Sequence, residues 1–240
     1  MTWSGAEVSL DPVISFARAQ VEERDLLRRV TESPETALFK VWRTEQALIV
    51  PRGMPSRAHF AAAAALAEGR GWPVFERDTG GDLTPQLPGV VNISCAFRMT
   101  GETPNIGLAY HRLTQPVLGF LKDELELAAC LSAIPGAFCD GTFNIAVENK
   151  KLAGTAQRWK LLNRDDGTRS VAVLGHVALM CDMDLAPAIA VINDFYTACH
   201  IDRYVELDKH ITLRKLISDD RLNSARIADA LERRLTKYGI

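Results

Sequence analysis

The stretch Asn149-Lys150-Lys151-Leu152-Ala153-Gly154-Thr155-Ala156-Gln157-Arg158 decides how this chain is read. A lysine three residues before a glycine, at the start of a β-type run, can aim an ammonium at a bound carbonyl or acid. The plainer alternative is a solvated hairpin turn that carries lysines. The neighbouring segments support a sheet. Phe143 to Glu148, Ala153 to Leu162 and Ser170 to Met180 are β-like, separated by turns at Asn149-Lys150 and Arg164-Asp165-Asp166-Gly167.

Outward from these strands the pattern alternates. Asp11 and Pro12 read as an N-cap and a first-turn proline, opening a helix to about Thr31. Leu38 to Trp42 and Gln46 to Val50 suggest a hairpin. Pro55 to Glu68 reads as a helix stopped by Gly69. Pro73 to Arg77 and Val90 to Phe97 are strands around a turn-rich stretch, Asp78 to Gly89. Asn105 to Lys122 is helical with Pro116 a kink, and Leu127 to Ser132 is a strand. Pro187 to Cys199, Leu213 to Ile217 and Ser224 to Tyr238 are helices. Helices bracketing antiparallel-looking strands, with no repeat and no linker, imply an α+β fold. The expectation is a single domain over 1–240: a mostly antiparallel or mixed β-sheet flanked by helices, with 200–240 a C-terminal helical extension.

Composition narrows the function. The chain has 240 residues, 47% hydrophobic and 24% charged, which excludes a disordered protein or a coiled coil. Twenty-eight basic against 30 acidic residues leave a net charge of -2, with no electrostatic case for nucleic acid or an anionic membrane. No apolar run is long enough to span a membrane, and the first residues do not read as a signal peptide. Five scattered cysteines without a CxxC pair predict reduced thiols, no disulfide framework and no metal site. A cytoplasmic protein is the expectation.

Three groups could carry chemistry. In Glu76-Arg77-Asp78-Thr79-Gly80-Gly81-Asp82, paired glycines let backbone N–H groups approach a ligand, and Arg77 could hold a carboxylate or phosphate. A hairpin turn is the ordinary alternative. Cys139, in Phe138-Cys139-Asp140-Gly141-Thr142-Phe143-Asn144-Ile145, lies among loop residues, whereas Cys95 and Cys181 sit in apolar runs. It is the cysteine that packing explains least, and a plausible exposed nucleophile. His176 lies inside a β-run, where a satisfied core histidine is the commoner case. Asp182 and Asp184 read as turn residues, and the other histidines make no ligand spacing.

In order and spacing, Thr79-Gly80-Gly81, Asn92-Ile93-Ser94, Lys151 to Arg158 and His176-Val177-Ala178-Leu179 together resemble the lipoate and biotin protein ligase superfamily. The resemblance runs from about Ala37 to the C-terminus and implies the biotin/lipoate ligase (class II synthetase-like) fold. Gly141-Thr142-Phe143-Asn144-Ile145, with Cys139 two residues upstream, and the run His210 to Leu216 are similar to its cysteine-dependent octanoyltransferases and lipoyl amidotransferases. The chain departs from the family pattern at Asp82, Gln86, Asn144 and Val177, positions that bear on the acyl pocket.

The resemblance implies a protein acyltransferase with Cys139 and Lys151 catalytic. Arg77, Thr79, Gly80, Gly81, Gly154, Gln157 and His176 would bind substrate. An octanoyl or lipoyl group would pass from acyl carrier protein or a glycine-cleavage H protein to Cys139. It would then pass to a lysine of an H protein or of a lipoyl domain of a 2-oxoacid dehydrogenase. Thioester exchange needs no ATP and no cofactor. ATP and Mg enter only if the chain is instead a lipoate-protein ligase; a non-catalytic acyl- or carrier-protein-binding homologue is the third reading. Backbone N–H groups at Gly80 and Gly81 would hold the acyl head, and Val74, Leu83 and Val91 would line its tunnel.

Overall fold

The computed structural model describes residues 3–6, 13–33, 37–100, 105–162, 170–218 and 223–237. In chain order the elements are β1 (Trp3–Ala6), α1 (Phe16–Glu32), β2 (Ala37–Trp42), β3 (Ala47–Pro51), α2 (Phe60–Gly69), β4 (Val74–Arg77), β5 (Thr84–Gln86) and β6 (Val90–Thr100). There follow α3 (Ile106–Asp123), β7 (Cys130–Ser132), β8 (Asn144–Val147), β9 (Lys150–Leu162), β10 (Ser170–Met180), α4 (Leu185–Ala198), α5 (Leu213–Leu216) and α6 (Ser224–Lys237).

Seven strands form one sheet in the order β1-β2-β6-β10-β9-β8-β7, with only the β1/β2 pair parallel. A second sheet has the order β4-β3-β5, with β3 parallel to β4 and antiparallel to β5. The fold is therefore mixed α/β with a mostly antiparallel main sheet. The expected hairpin between Leu38–Trp42 and Gln46–Val50 does not form. β2 pairs instead with the long apolar strand β6, and β3 leaves for the small sheet. β5 was not expected, since Thr84-Pro85-Gln86 lies in the turn-rich stretch; it is the sheet edge, where a proline is tolerated.

The caps show where local chemistry sets the helix ends. Ser15, not Asp11, caps α1, its hydroxyl accepting from the Arg18 N–H at 3.3 Å. Asp11 and Pro12, like the turn Arg164 to Gly167, lie outside the described residues. Asp184 caps α4, its carboxylate accepting from the Ala186 N–H at 3.1 Å. The helix α3 runs through Pro116 unbroken.

The two faces of the main sheet differ. On the outer face, Phe39, Val41, Ile93, Cys95, Phe97, Val173 and Val177 pack against Leu113, Val117 and Phe120 of α3 and Ile227, Leu231 and Leu235 of α6. The inner face meets α1 near Leu38, Ala96 and Leu174. Further along, Ala178 and Met180 share a second core with α2, α4 and the small sheet. Between these two apolar patches the inner face carries Asn92, Ser94 and His176, all in register on β6 and β10. The cleft between the sheets opens there.

Candidate active site

Cys139 follows Phe138 in the loop before β8 and has φ +46. A left-handed backbone disfavours a residue with a Cβ. Three contacts hold it. The Cys139 carbonyl accepts from Asn144 Nδ2 at 2.7 Å and from Lys151 Nζ at 2.9 Å, and the thiol sulfur accepts from the Asp82 N–H at 3.3 Å. Asn144 also accepts from the Thr155 N–H at 3.2 Å, which ties the loop to β9.

Lys151 reaches the loop because β9 bulges. Ile145 faces Ala153 while Ala146 faces Lys151, so Leu152 is one residue extra. Leu152 and Ala153 both enter the outer core, and Lys151 and Gly154 share the inner side. A Cβ on Gly154 would stand 3.3 Å from Lys151 Nζ, so glycine there leaves room for the ammonium. Lys151 is fully buried and donates to the carbonyl of Phe138 at 2.6 Å as well as to that of Cys139. Its Nζ also sits 4.4 Å above the Phe138 ring, whose other stacking partner is His210 at 4.6 Å.

The electrostatics favour a thiolate. Burial alone would push the Cys139 thiol up. The Lys151 ammonium, then the Arg77 guanidinium and the Asp82 N–H, outweigh it and bring the thiol below its ordinary value. Burial pulls Lys151 down to about 8, against the opposing pull of Cys139. Burial and then Lys151 hold His210 down to about 4. Its Nε2 accepts from the Phe138 N–H at 3.1 Å while Nδ1 faces the Glu206 carbonyl at 2.9 Å, the pattern of a neutral ring. By contrast, burial pushes Cys95 up to about 12 and Cys181 higher still.

The glycine loop closes on the sulfur. Gly81 has φ +112, and a Cβ there would stand 2.9 Å from Cys139 Sγ and 2.4 Å from Arg77 Nη2. Arg77 Nη2 donates to the Asp82 carbonyl at 2.7 Å and lies 4.0 Å from the sulfur. Gly80 does not offer its N–H to a ligand, because the Gln157 carbonyl accepts it at 3.4 Å. The donor aimed at the sulfur comes two residues on, from Asp82.

A cavity lies beside Cys139 between the two sheets. Arg77, Thr79, Thr84, Cys139 and Gly154 line it, with the apolar Phe16, Ile49, Ala156 and Ala178 and the polar Glu23, Gln86 and His176 also on its wall. Val74, Leu83 and Val91 do not line it; Val91 packs in the outer core, on the opposite face of the sheet, and Leu83 in the second core. Gln157 does not line it either: its carbonyl holds Gly80, and its Oε1 accepts from Trp159 Nε1 at 2.9 Å.

Two parts of the site were not read from the sequence. Arg203, in the loop after α4, pairs with Asp82 and also with Asp140 at 3.0 Å. It thus joins the glycine loop to the cysteine loop. Glu23 of α1 approaches His176. The signal for Glu23 was present: it occupies the buried stripe of α1 with Ala19, Leu26, Leu27 and Val30, where a carboxylate is out of place. Arg203 has no such mark.

Two sheets, a buried lysine on a bulged strand and a glycine loop over a cysteine frame the candidate site. Residues 17–233 match the lipoyl protein ligase A/B catalytic domain, and the chain belongs to that family. An uncharacterized protein of Cupriavidus necator is 32% identical over 212 residues, covering 81% of this chain and 82% of its own length. An octanoyl-[GcvH]:protein N-octanoyltransferase of Kyrpidia tusciae is 30% identical over 161 residues, 66% of this chain but 54% of that enzyme, so the match spans about half the length of that relative. The bipartite lipoate protein ligase of Thermoplasma acidophilum, solved with its E2 lipoyl domain, superposes with a TM-score of 0.65 at 17% identity, over 99% of this chain and 84% of the other. That likeness establishes the lipoate ligase fold. Among the described residues no helix is long and apolar enough to cross a membrane.

Proposed function

We propose that the protein moves a medium-chain acyl group of the octanoyl or lipoyl type from a carrier-protein thioester, through an acyl-enzyme on Cys139, to a lysine of a lipoyl domain. The observation that carries this is the setting of Cys139 Sγ on the wall of the cavity, with the Asp82 N–H at 3.3 Å and its pKa lowered by Lys151 and Arg77. The Kyrpidia tusciae relative supports a glycine-cleavage H protein as donor, with acyl carrier protein the alternative. The Thermoplasma acidophilum pair supports a lipoyl domain as acceptor.

The steps balance without ATP. The thiolate attacks the donor thioester carbonyl, the new C–S bond forms and the carrier thiolate leaves and takes a proton. The acceptor amine then attacks the acyl-enzyme, gives up a proton and releases the Cys139 thiolate. Lys151, near its pKa of about 8, stabilises the thiolate in its charged form and can take the amine proton in its neutral form. Arg77 adds positive charge where the carbonyl oxygen becomes an oxyanion.

Intact mass spectrometry after incubation with octanoyl carrier protein, without ATP, tests the reading. The expected result is one octanoyl addition that is removed by hydroxylamine and absent from Cys139→Ala. An adduct that persists in Cys139→Ala would overturn the assignment of the nucleophile, and acyl transfer that requires ATP and free lipoate would overturn the reading in favour of a ligase. Carrier-protein affinity with no turnover in either regime would mean a binding protein.

A further inference from the structure

The Asp82 N–H that meets the Cys139 sulfur stands at the end of a loop that glycine leaves soft. Gly80 and Gly81 lose more freedom than other residues when they are fixed, so the loop needs anchors. Three hold Asp82. Its carbonyl accepts from Arg77 Nη2 at 2.7 Å, its Oδ1 accepts from the Leu83 N–H at 2.8 Å, and its Oδ2 pairs with Arg203. The first two belong to the adjoining chain, and Arg203 comes from the far side of α4.

The segment that carries Arg203 is itself tied down. Asn193 of α4 donates to the Val205 carbonyl at 3.0 Å and accepts from the Val205 N–H at 2.8 Å. The Glu206 N–H donates to the Gly136 carbonyl at 2.9 Å, just before the cysteine loop. From this support the Arg203 fork reaches two carboxylates, Nη1 to Asp82 and Nη2 to Asp140 at 3.0 Å. Asp82 carries the N–H on the sulfur, and Asp140 follows the cysteine. One guanidinium therefore spans the donor and the acceptor of that bond. It also opposes the charge of two carboxylates whose residues flank a sulfur that reacts as an anion. Position 82 is one at which the chain departs from the family pattern, so the pairing is a feature of this chain.

We propose that Arg203 is a positioning residue for Cys139: by holding Asp82 and Asp140 together it keeps the Asp82 N–H on the sulfur and so sets the reactivity of the thiol. This deepens the acyl-enzyme reading and rests on it for the use made of that thiol. The other charged groups facing the sulfur are Lys151 of β9 and Arg77 of β4, while burial keeps Tyr110 of α3 and Tyr196 of α4 neutral.

The test is the pH profile of Cys139 alkylation by iodoacetamide, read by peptide mapping in the wild type, Arg203→Gln, Arg203→Lys and Asp82→Ala. Arg203→Gln is expected to move the midpoint up by about one pH unit, which slows the reaction about tenfold below it and leaves the plateau at high pH unchanged. Arg203→Lys, which meets one carboxylate at a time, should recover part of the shift. Asp82→Ala separates position from charge. Deleting a carboxylate beside a thiolate speeds alkylation if charge alone matters and slows it if the loop needs its Arg203 anchor; slowing is expected. Protection of the buried Cys95 and Cys199 shows that each variant is folded. An unchanged midpoint in folded Arg203→Gln, or faster alkylation in Asp82→Ala, would overturn the proposal, and Asp82→Ala decides by itself if Arg203→Gln does not fold. Wild-type protein is also incubated with the N-acetylcysteamine thioester of octanoate and read by intact mass. Shifted profiles without an acyl label would sink the acyl-enzyme reading and leave Arg203 positioning the thiol. An acyl label with unshifted profiles would do the reverse.

Discussion

At Cys139 three groups hold a backbone that a non-glycine residue avoids, at a cost on the order of 1 kcal/mol. The arrangement aims the sulfur at the Asp82 N–H, beneath the glycine loop. Lys151 acts twice, gripping the Cys139 carbonyl and supplying the field that favours the thiolate. Removing its charge therefore slows thiolate chemistry. Lys151→Met is expected to reduce the iodoacetamide alkylation rate of Cys139 at pH 7 by about tenfold or more, and Arg77→Met by less. Peptide mapping of the alkylated thiols over time gives both rates; an unchanged rate in Lys151→Met would remove lysine from the activation of the sulfur. These two residues were legible in the chain, because a loop cysteine and a lysine set before a glycine are unusual local patterns. Arg203 was not, because it reaches the site only by folding from 121 positions after Asp82; Glu23 is marked by the apolar stripe of α1, but its partner His176 stands 153 positions on.

The strand β9 and the segment after α4 place these residues. The β9 bulge turns Lys151 inward, and the segment after α4 lies beneath it, with the Ile211 N–H on the Lys151 carbonyl at 3.0 Å. His210 pins that segment to the Phe138 N–H and does so as a neutral ring. Its pKa of about 4 lies below the unfolded value of 6.5, so on acidification the unfolded chain takes the proton first. The stability this group contributes is whole above pH 6.5 and is lost as pH falls toward 4, to a total of about 3 kcal/mol. Urea midpoints measured across that range should fall with pH in the wild type and fall less steeply in His210→Gln. Equal slopes would show that another group governs acid sensitivity. Of the long strands, β6 was readable from alternation, and β9 and β10 from β-like runs set off by turns. The pairing of β2 and β3 was not, because local sequence suggests a hairpin while each strand's apolar faces match a partner far along the chain.

At the scale of the molecule, β10 is a wall shared by two cores. Val177 and Leu179 face the outer core with α3 and α6, while Ala178 and Met180 face the core with α2 and α4. Cores that share a strand in this way should not come apart separately. The protein carries its own reporters of this: Cys95 is buried in the outer core and Cys199 in the other. Burial raises the pKa of both, so neither thiol reacts readily while the protein is folded. In a urea series at fixed pH, Cys95 and Cys199 should become alkylated over the same concentration range, after Cys139 and the exposed Cys130 have reacted. Leu231→Ala, a truncation at a fully buried position of α6, should lower both midpoints together by an amount equivalent to about 2–5 kcal/mol. If Cys95 opened first while Cys199 stayed protected, α6 and the outer layer would be a separable unit. The cavity, whose walls come from β9 and β10 and from the small sheet, would then keep its shape when that layer was lost.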